Sequence, residues 1–262
     1  FSKLFLVKLF SYFFDNKRNT TNPRTKILYA DSSTSETTNA NIKVDFLSNG
    51  FQLTGTDTDY NGSGRTYIYM AFAADPSSSA PVLPDSFANK LYTGNGGAQS
   101  ITGLGFQPDF VWLKSSSATW GNFLQDSIRG AENFLISESS AAQGTTVPAI
   151  VDSFDTDGFT VLANGNSNEL NTTYVSWNWK ANSVPTINTD GTIQSLVSAN
   201  ANSGFSIVKW DGTGAINTVG HGLSAAPELI IFKSLDITAD WQVYAEPIGN
   251  GNKLVLNSSA AQ

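Results

Sequence analysis

The chain repeats itself, and a repeated text predicts repeated folding units. Tyr67-Ile68-Tyr69-Met70-Ala71-Phe72 returns as Tyr174-Val175-Ser176-Trp177-Asn178-Trp179. Upstream of it, Phe46-Leu47-Ser48-Asn49-Gly50-Phe51 returns as Phe154-Asp155-Thr156-Asp157-Gly158-Phe159. A second block runs from Tyr92-Thr93-Gly94-Asn95-Gly96 through Gln107-Pro108-Asp109 to Leu113-Lys114. It returns as Trp210-Asp211-Gly212-Thr213-Gly214, then Ala226-Pro227-Glu228 and Phe232-Lys233. Recurrence on this scale points to an array of like modules rather than to one reaction centre.

The complete repeat spans residues 87–181. The first module, residues 1–76, lacks its beginning: Leu6-Val7-Lys8 already matches Trp112-Leu113-Lys114, and Asp15-Asn16-Lys17-Arg18 matches Asp126-Ser127-Ile128-Arg129. The third, residues 203–262, lacks its end, with Asn257-Ser258-Ser259 matching Glu138-Ser139-Ser140. Residues 77–86 and 182–202 are rich in Pro, Ser and Asn and read as linkers. With no Met at its start, the text reads as a piece of a longer array. A sharper alternative has the two half-modules complete each other, the strand near Lys253 to Asn257 pairing with first-module strands and covering an edge.

Only 14% of the residues are charged and 12% are aromatic. β-Branched and aromatic runs broken by Asn, Asp and Gly clusters signal an all-β chain, and no segment carries a sustained helical apolar stripe. The expected fold is a tandem of antiparallel β-sandwich modules of jelly-roll or lectin-like kind. A net charge of −7 and a pI near 4.6 oppose a polyanion partner, because phosphate-backbone binding needs clustered Lys and Arg. The one dense basic stretch, Lys17 to Lys26, reads as a solvated loop. Cysteine is absent, which excludes disulfides and thiolate zinc sites. The apolar stretch Phe1 to Phe14 is interrupted by lysines, is too short to span a bilayer, and reads as core strand.

Asn49-Gly50 and Asp157-Gly158 predict two-residue type I′ hairpin turns. The flanking pairs Phe46/Phe51 and Phe154/Phe159 then face each other across the hairpins. In the following strands, Ile68, Met70 and Phe72, like Val175, Trp177 and Trp179, share one face at period two and read as core. The opposite faces, Tyr67/Tyr69/Ala71 and Tyr174/Ser176/Asn178, read as variable surface.

Candidates for chemistry are few. The single histidine, His221, sits between glycines, and its repeat counterpart is near Gly103, so the module folds without an imidazole there. Neither a Ser-His-Asp triad with a nucleophile elbow nor a His-rich metal site is available. Asp152, Asp155, Asp157 and Glu169 supply carboxylates, yet no spacing singles out an acid and a base for glycoside hydrolysis. Asp57, Asp59 and Asn61 match the first half of an oxygen-rich calcium loop, but Ile68 stands where its closing Glu belongs. Calcium at these three residues is the one cofactor to entertain. Trp120, Trp210 and Trp241 lie beside polar or Gly-rich text and are the candidate glycan-stacking rings.

At Phe154-Asp155-Thr156-Asp157-Gly158-Phe159, at Tyr174 to Ala181 and at Thr218-Val219-Gly220-His221-Gly222-Leu223, the text resembles a family of repetitive proteins of marine bacteriophages described as tail-fibre-like or virion structural proteins. Asp45 to Phe51 and Tyr67 to Pro76 resemble the same family, so the likeness covers nearly the whole chain and departs most at its beginning. The resemblance implies a non-enzymatic virion component, a fibre or surface decoration in an extracellular setting. It implies homo-oligomers, trimeric by analogy with fibres, beside other virion proteins, without nucleic acid or membrane insertion. A host-surface glycan, engaged multivalently, would be the outside partner. The alternatives are a carbohydrate-binding module and, more remotely, a glycan-degrading enzyme.

Overall fold

The computed structural model describes residues 3–8, 12–73, 86–182 and 184–259. The first module comprises β1 (Lys3–Lys8), β2 (Tyr12–Asp15), β3 (Lys26–Tyr29), β4 (Thr37–Thr38), β5 (Val44–Phe46), β6 (Phe51–Leu53), the single-turn helix α1 (Thr58–Asn61) and β7 (Ile68–Ala73). The second comprises β8 (Phe87–Thr93), β9 (Gln99–Thr102), β10 (Phe110–Ser115), β11 (Asn122–Asp126), β12 (Gly130–Ile136), β13 (Gly144–Thr145), β14 (Ser153–Asp155), β15 (Gly158–Val161), α2 (Gly165–Asn168) and β16 (Thr173–Trp179). The third comprises β17 (Thr186–Asn188), β18 (Ser195–Asn200), β19 (Phe205–Trp210), β20 (Leu229–Phe232), β21 (Gln242–Ala245) and β22 (Leu254–Val255).

The expected all-β, sandwich-like fold is what forms, and among the described residues every pair of strands is antiparallel. The first module's main sheet has the order β4-β3-β2-β1-β7, and the second module's has β13-β12-β11-β10-β16-β8. These are one arrangement, with an added strand in the second. Register agrees as well. Phe13 faces Leu28, Leu124 faces Leu135 and Val243 faces Leu254 at the same place in the three modules. Leu6 faces Met70 where Trp112 faces Trp177. A period-two strand cannot slip by one residue without turning its apolar set outward, so repeated text gives repeated register.

The second module's large sheet buries both faces. On one, Val111, Leu113, Phe123 and Tyr174 pack against Ile101 of β9 and Phe159 and Val161 of β15, closing a sandwich over the small β14-β15-β9 sheet. On the other, Trp112, Leu124, Leu135, Val175, Trp177 and Trp179 join Phe13, Leu28 and Ala30 of the first module and Trp241, Val243 and Leu256 of the third in a single cluster. Phe13 stacks on Trp177 with ring centroids 4.4 Å apart and meets Trp112 edge-on at 5.0 Å. The modules therefore share one interior, and each large side chain buried there contributes about 1.5–3 kcal/mol.

Several expectations need correction. Residues 182–202 are not a plain linker, because β17 and β18 lie there and β18 pairs with β19 over six residues. Most of the other expected linker, residues 77–86, lies outside the described residues. The final strand β22 pairs with β21 of its own module, not with the first. The Tyr174/Ser176/Asn178 face is fully buried rather than surface, since the β14–β15 hairpin folds over it.

The phenylalanines do face each other across both hairpins, but the turns are not type I′. Asn171 is the only described non-glycine with positive φ, and Asp155 pairs with Gly158, so the second turn is Thr156-Asp157. Gly158 is required for a different reason: a Cβ there would run into the Ile101 carbonyl oxygen. The basic stretch is also not wholly solvated. Arg18 and Arg24 are buried, Arg18 paired with Asp15 and Arg24 lying 4.4 Å over the Phe46 ring.

Candidate functional site at the module junctions

The residues singled out for binding serve mainly as structural partners. Asp57 caps α1, its Oδ1 accepting from the Asp59 amide at 2.9 Å, and the Asn61 side chain donates to the Gly55 carbonyl oxygen. The second module builds the same turn with Asn164 accepting from the Asn166 amide, so an uncharged residue performs the same task. A helix cap accounts for the calcium-like spacing. Among the described residues no three His, Cys, Asp or Glu side chains are grouped to hold a metal ion.

Of the three tryptophans, Trp241 is only 4% exposed, which removes it as a glycan platform. Trp120 packs on the second module's sandwich core, and its indole N–H donates to Glu169 Oε2 at 3.1 Å. Trp210 alone presents an open ring, 38% exposed, touching Phe232. His221 Nδ1 accepts from the Leu223 amide. Asp155 holds Ser153 and Thr160, and Asp157 accepts from the amides of Gly103 and Gly105, which lower its pKa.

Trp241 instead takes part in a polar arrangement that recurs between modules. Its Nε1–H is shared between the carbonyl oxygens of Ile136 and Ser139, at 3.0 and 3.1 Å, on the preceding module. Asn122 occupies the same position one module earlier, and its Nδ2 donates to the carbonyl oxygens of Tyr29 and Ser32, both at 3.0 Å. Tyr29 corresponds to Ile136 and Ser32 to Ser139. The remaining contacts recur in step. The Glu36 amide donates to the Ser116 carbonyl oxygen, as the Gln143 amide does to that of Leu235. Phe72 stacks on Phe87 at 5.1 Å, and Trp179 on Phe205 at 6.2 Å. Two successive junctions are thus one interface used twice, joining unlike surfaces of like units.

The first junction also encloses a charge. Lys114 is fully buried, with Nζ donating to the carbonyl oxygens of Ser33 (2.8 Å) and Trp120 (2.5 Å). Burial pulls its pKa down to about 8, against the opposing pull of Glu138. The Glu138 carboxylate accepts from the Asn122 amide and side chain; burial pushes its pKa up, and those hydrogen bonds and Lys114 counter the rise. In the third module Asn257 takes the place of Glu138 and accepts from the Trp241 amide at 2.9 Å.

The sequence matches a domain of unknown function, DUF7483, over residues 9–76 and 84–262. The chain belongs to the DUF7483 family. The break in the match, residues 77–83, falls between the first and second modules, so the DUF7483 text includes both the half-modules and the junction residues. No curated protein matches the chain, and no solved structure does. Sequence reasoning missed Asn122, Lys114 and Glu138 as a set. The Ser-Ser that follows both Asp31 and Glu138 was the available signal, because it marks the loops that Asn122 and Trp241 grip.

Proposed function

We propose that this DUF7483 chain is a non-enzymatic structural component of a repetitive β assembly, of the virion fibre or surface-decoration kind. The observation that supports this reading is the reuse of one junction: Asn122 and Trp241 grip equivalent loops in equivalent ways. Such an interface lets like modules be added in succession while the same contacts recur. The ionisable groups near the junctions and hairpins hold backbone and side-chain partners, which suits a scaffold. On this reading the partners are further copies and other particle proteins, and the setting is extracellular. Self-association beyond one chain would use surfaces outside the shared core, which the three modules already fill. Among the described residues no helix is long and apolar enough to cross a membrane.

The test is to purify particles from cells that produce the chain, detect it by mass spectrometry, and fit this fold into an electron-microscopy map. Stoichiometric presence with matching density is the expected result. Recovery of the chain only free of particles, or turnover of polysaccharide by the pure chain, would end the proposal.

A second reading is favoured by the open ring of Trp210. In this reading the third module binds a glycan through Trp210, with the adjacent, exposed Asp211 offering a polar contact. Glycan-array binding that disappears in Trp210→Ala, with the melting temperature unchanged, would select it.

A further inference from the structure

The buried amine at the first junction lies beside a carboxamide and a carboxylic acid, and these three groups together can form a bond. Lys114 of β10 and Asn122 of β11 stand opposite each other in register, and both are 0% exposed. In-register partners on antiparallel strands send their side chains to the same face, with Cβ atoms about 4.5–5.5 Å apart. Consecutive carbonyl oxygens of the first module hold their ends: Ser33 accepts from Lys114 Nζ, and Ser32 from Asn122 Nδ2. Glu138 completes the group. Its Oε2 accepts from the same Nδ2 at 3.1 Å, and its charge acts on Lys114.

The surroundings prepare each group to react. Lys114 donates to neutral carbonyl oxygens rather than to a carboxylate. Burial favours its uncharged amine, and burial likewise favours the protonated form of Glu138. A desolvated, uncharged lysine is a nucleophile. Asn122 Nδ2 has three acceptors, whereas its Oδ1 is buried without a partner among the described residues. In the third module Lys233 and Trp241 take the places of Lys114 and Asn122. An indole offers no carbonyl carbon, so that pair is inert.

We propose that Lys114 and Asn122 react with each other to form an intramolecular isopeptide bond, with Glu138 relaying the proton. Nζ turns from the Trp120 carbonyl oxygen and adds its lone pair to Asn122 Cγ. The Nζ–Cγ bond forms and the Cγ–Nδ2 bond breaks. Nδ2 takes a proton from the Glu138 carboxyl group and leaves as ammonia, and the carboxylate regains a proton from Nζ. Nothing is oxidised or reduced, and no other reactant is needed. The chain folds with the amine free, and at neutral pH most of that amine is protonated, so the bond accumulates slowly after folding. This single-turnover tie spans the β10–β11 loop and does not depend on the virion reading.

The test holds the full chain at about pH 9, where Lys114 has released its proton, then digests it with trypsin under denaturing conditions for mass spectrometry. The expected product is a peptide of residues 91–129, uncut after Lys114 and lighter than its sequence by one ammonia. It should yield no fragment ions from backbone bonds between residues 114 and 122. That last reading separates the cross-link from a succinimide at Asn95-Gly96, which loses the same mass but leaves those fragments intact. Glu138→Gln, shown to be folded by its near-UV signal, should be cut after Lys114 and keep its full mass. Three outcomes overturn the proposal: a parent chain that stays at full mass and is cut after Lys114, an ammonia loss located elsewhere in the peptide, or a Glu138→Gln chain that links as fast as the parent.

Discussion

Lys114 shows what a shared interior imposes on a charged side chain. Its ammonium is held by carbonyl oxygens from two modules and is shut off from bulk solvent, so the charged form is penalised by desolvation. The sign of the pH effect follows. Below pH 8 the folded and unfolded chains both hold the proton, and the penalty is fully present. Between about 8, the folded value, and 10.5, the ordinary one, the unfolded chain binds the proton that the folded chain has released. The contribution of Lys114 to stability therefore rises with pH across that window, by up to about 3 kcal/mol, and levels off above it. Glu138 acts in the opposite sense at the acid end. Its raised pKa means that the folded chain keeps a proton that the unfolded chain has lost just above the ordinary carboxylate value, so stability falls as pH rises through that interval. Urea denaturation from pH 4 to 11 measures both slopes. Lys114→Met should flatten the upper one, and a parent profile already flat between pH 8 and 10 would contradict the account.

At the scale of elements, the junction loops make a claim that mutation can separate into parts. Trp241→Phe keeps most of the ring but removes the N–H shared by Ile136 and Ser139, with an expected loss of about 1 kcal/mol. Trp241→Ala also empties a core position, and the loss should reach about 3–5 kcal/mol. Asn122→Ala leaves the Tyr29 and Ser32 carbonyl oxygens unpartnered, with an expected cost of about 1–3 kcal/mol. Denaturant midpoints at constant m-value measure all three, and an Asn122→Ala variant as stable as the parent would mean that the junction bonds are incidental. The strands behind these loops were legible because alternation of large apolar residues is a local property, and the recurrence carried register from one module to the next. The junction was not legible. Asn122 and Trp241 share a position but not a chemistry, and a polar residue at a strand start reads as solvent-facing until the partner module is in place. The Ser176/Asn178 face was misread for the same reason, since its cover, the β14–β15 hairpin, returns from about twenty residues upstream. Asp57 and Asp59 carry a spacing shared by metal loops and helix caps, and the structure shows the cap, with Asp57 accepting from the Asp59 amide.

For the whole molecule the question is whether three look-alike modules unfold one by one or together. Repeat arrays with contacts only between neighbours melt nearly additively, but here Phe13, Trp177 and Val243 belong to one cluster. A core drawn from all three modules couples their stabilities, because opening any one exposes apolar surface belonging to the other two. A single unfolding transition is therefore expected, with near-UV and far-UV signals changing together. The sharper test places the perturbation in one module and the readout in another. Phe13→Ala removes a ring of the first module that stacks on Trp177 and should cost about 3–5 kcal/mol. If the core is shared, amide exchange in β16 and β21 accelerates with it, since those strands open through the same global event. If the modules are independent beads, exchange in β21 stays at the parent rate while the first module loosens alone. Faster exchange confined to residues 12–73 would thus refute the shared interior on which the junctions depend.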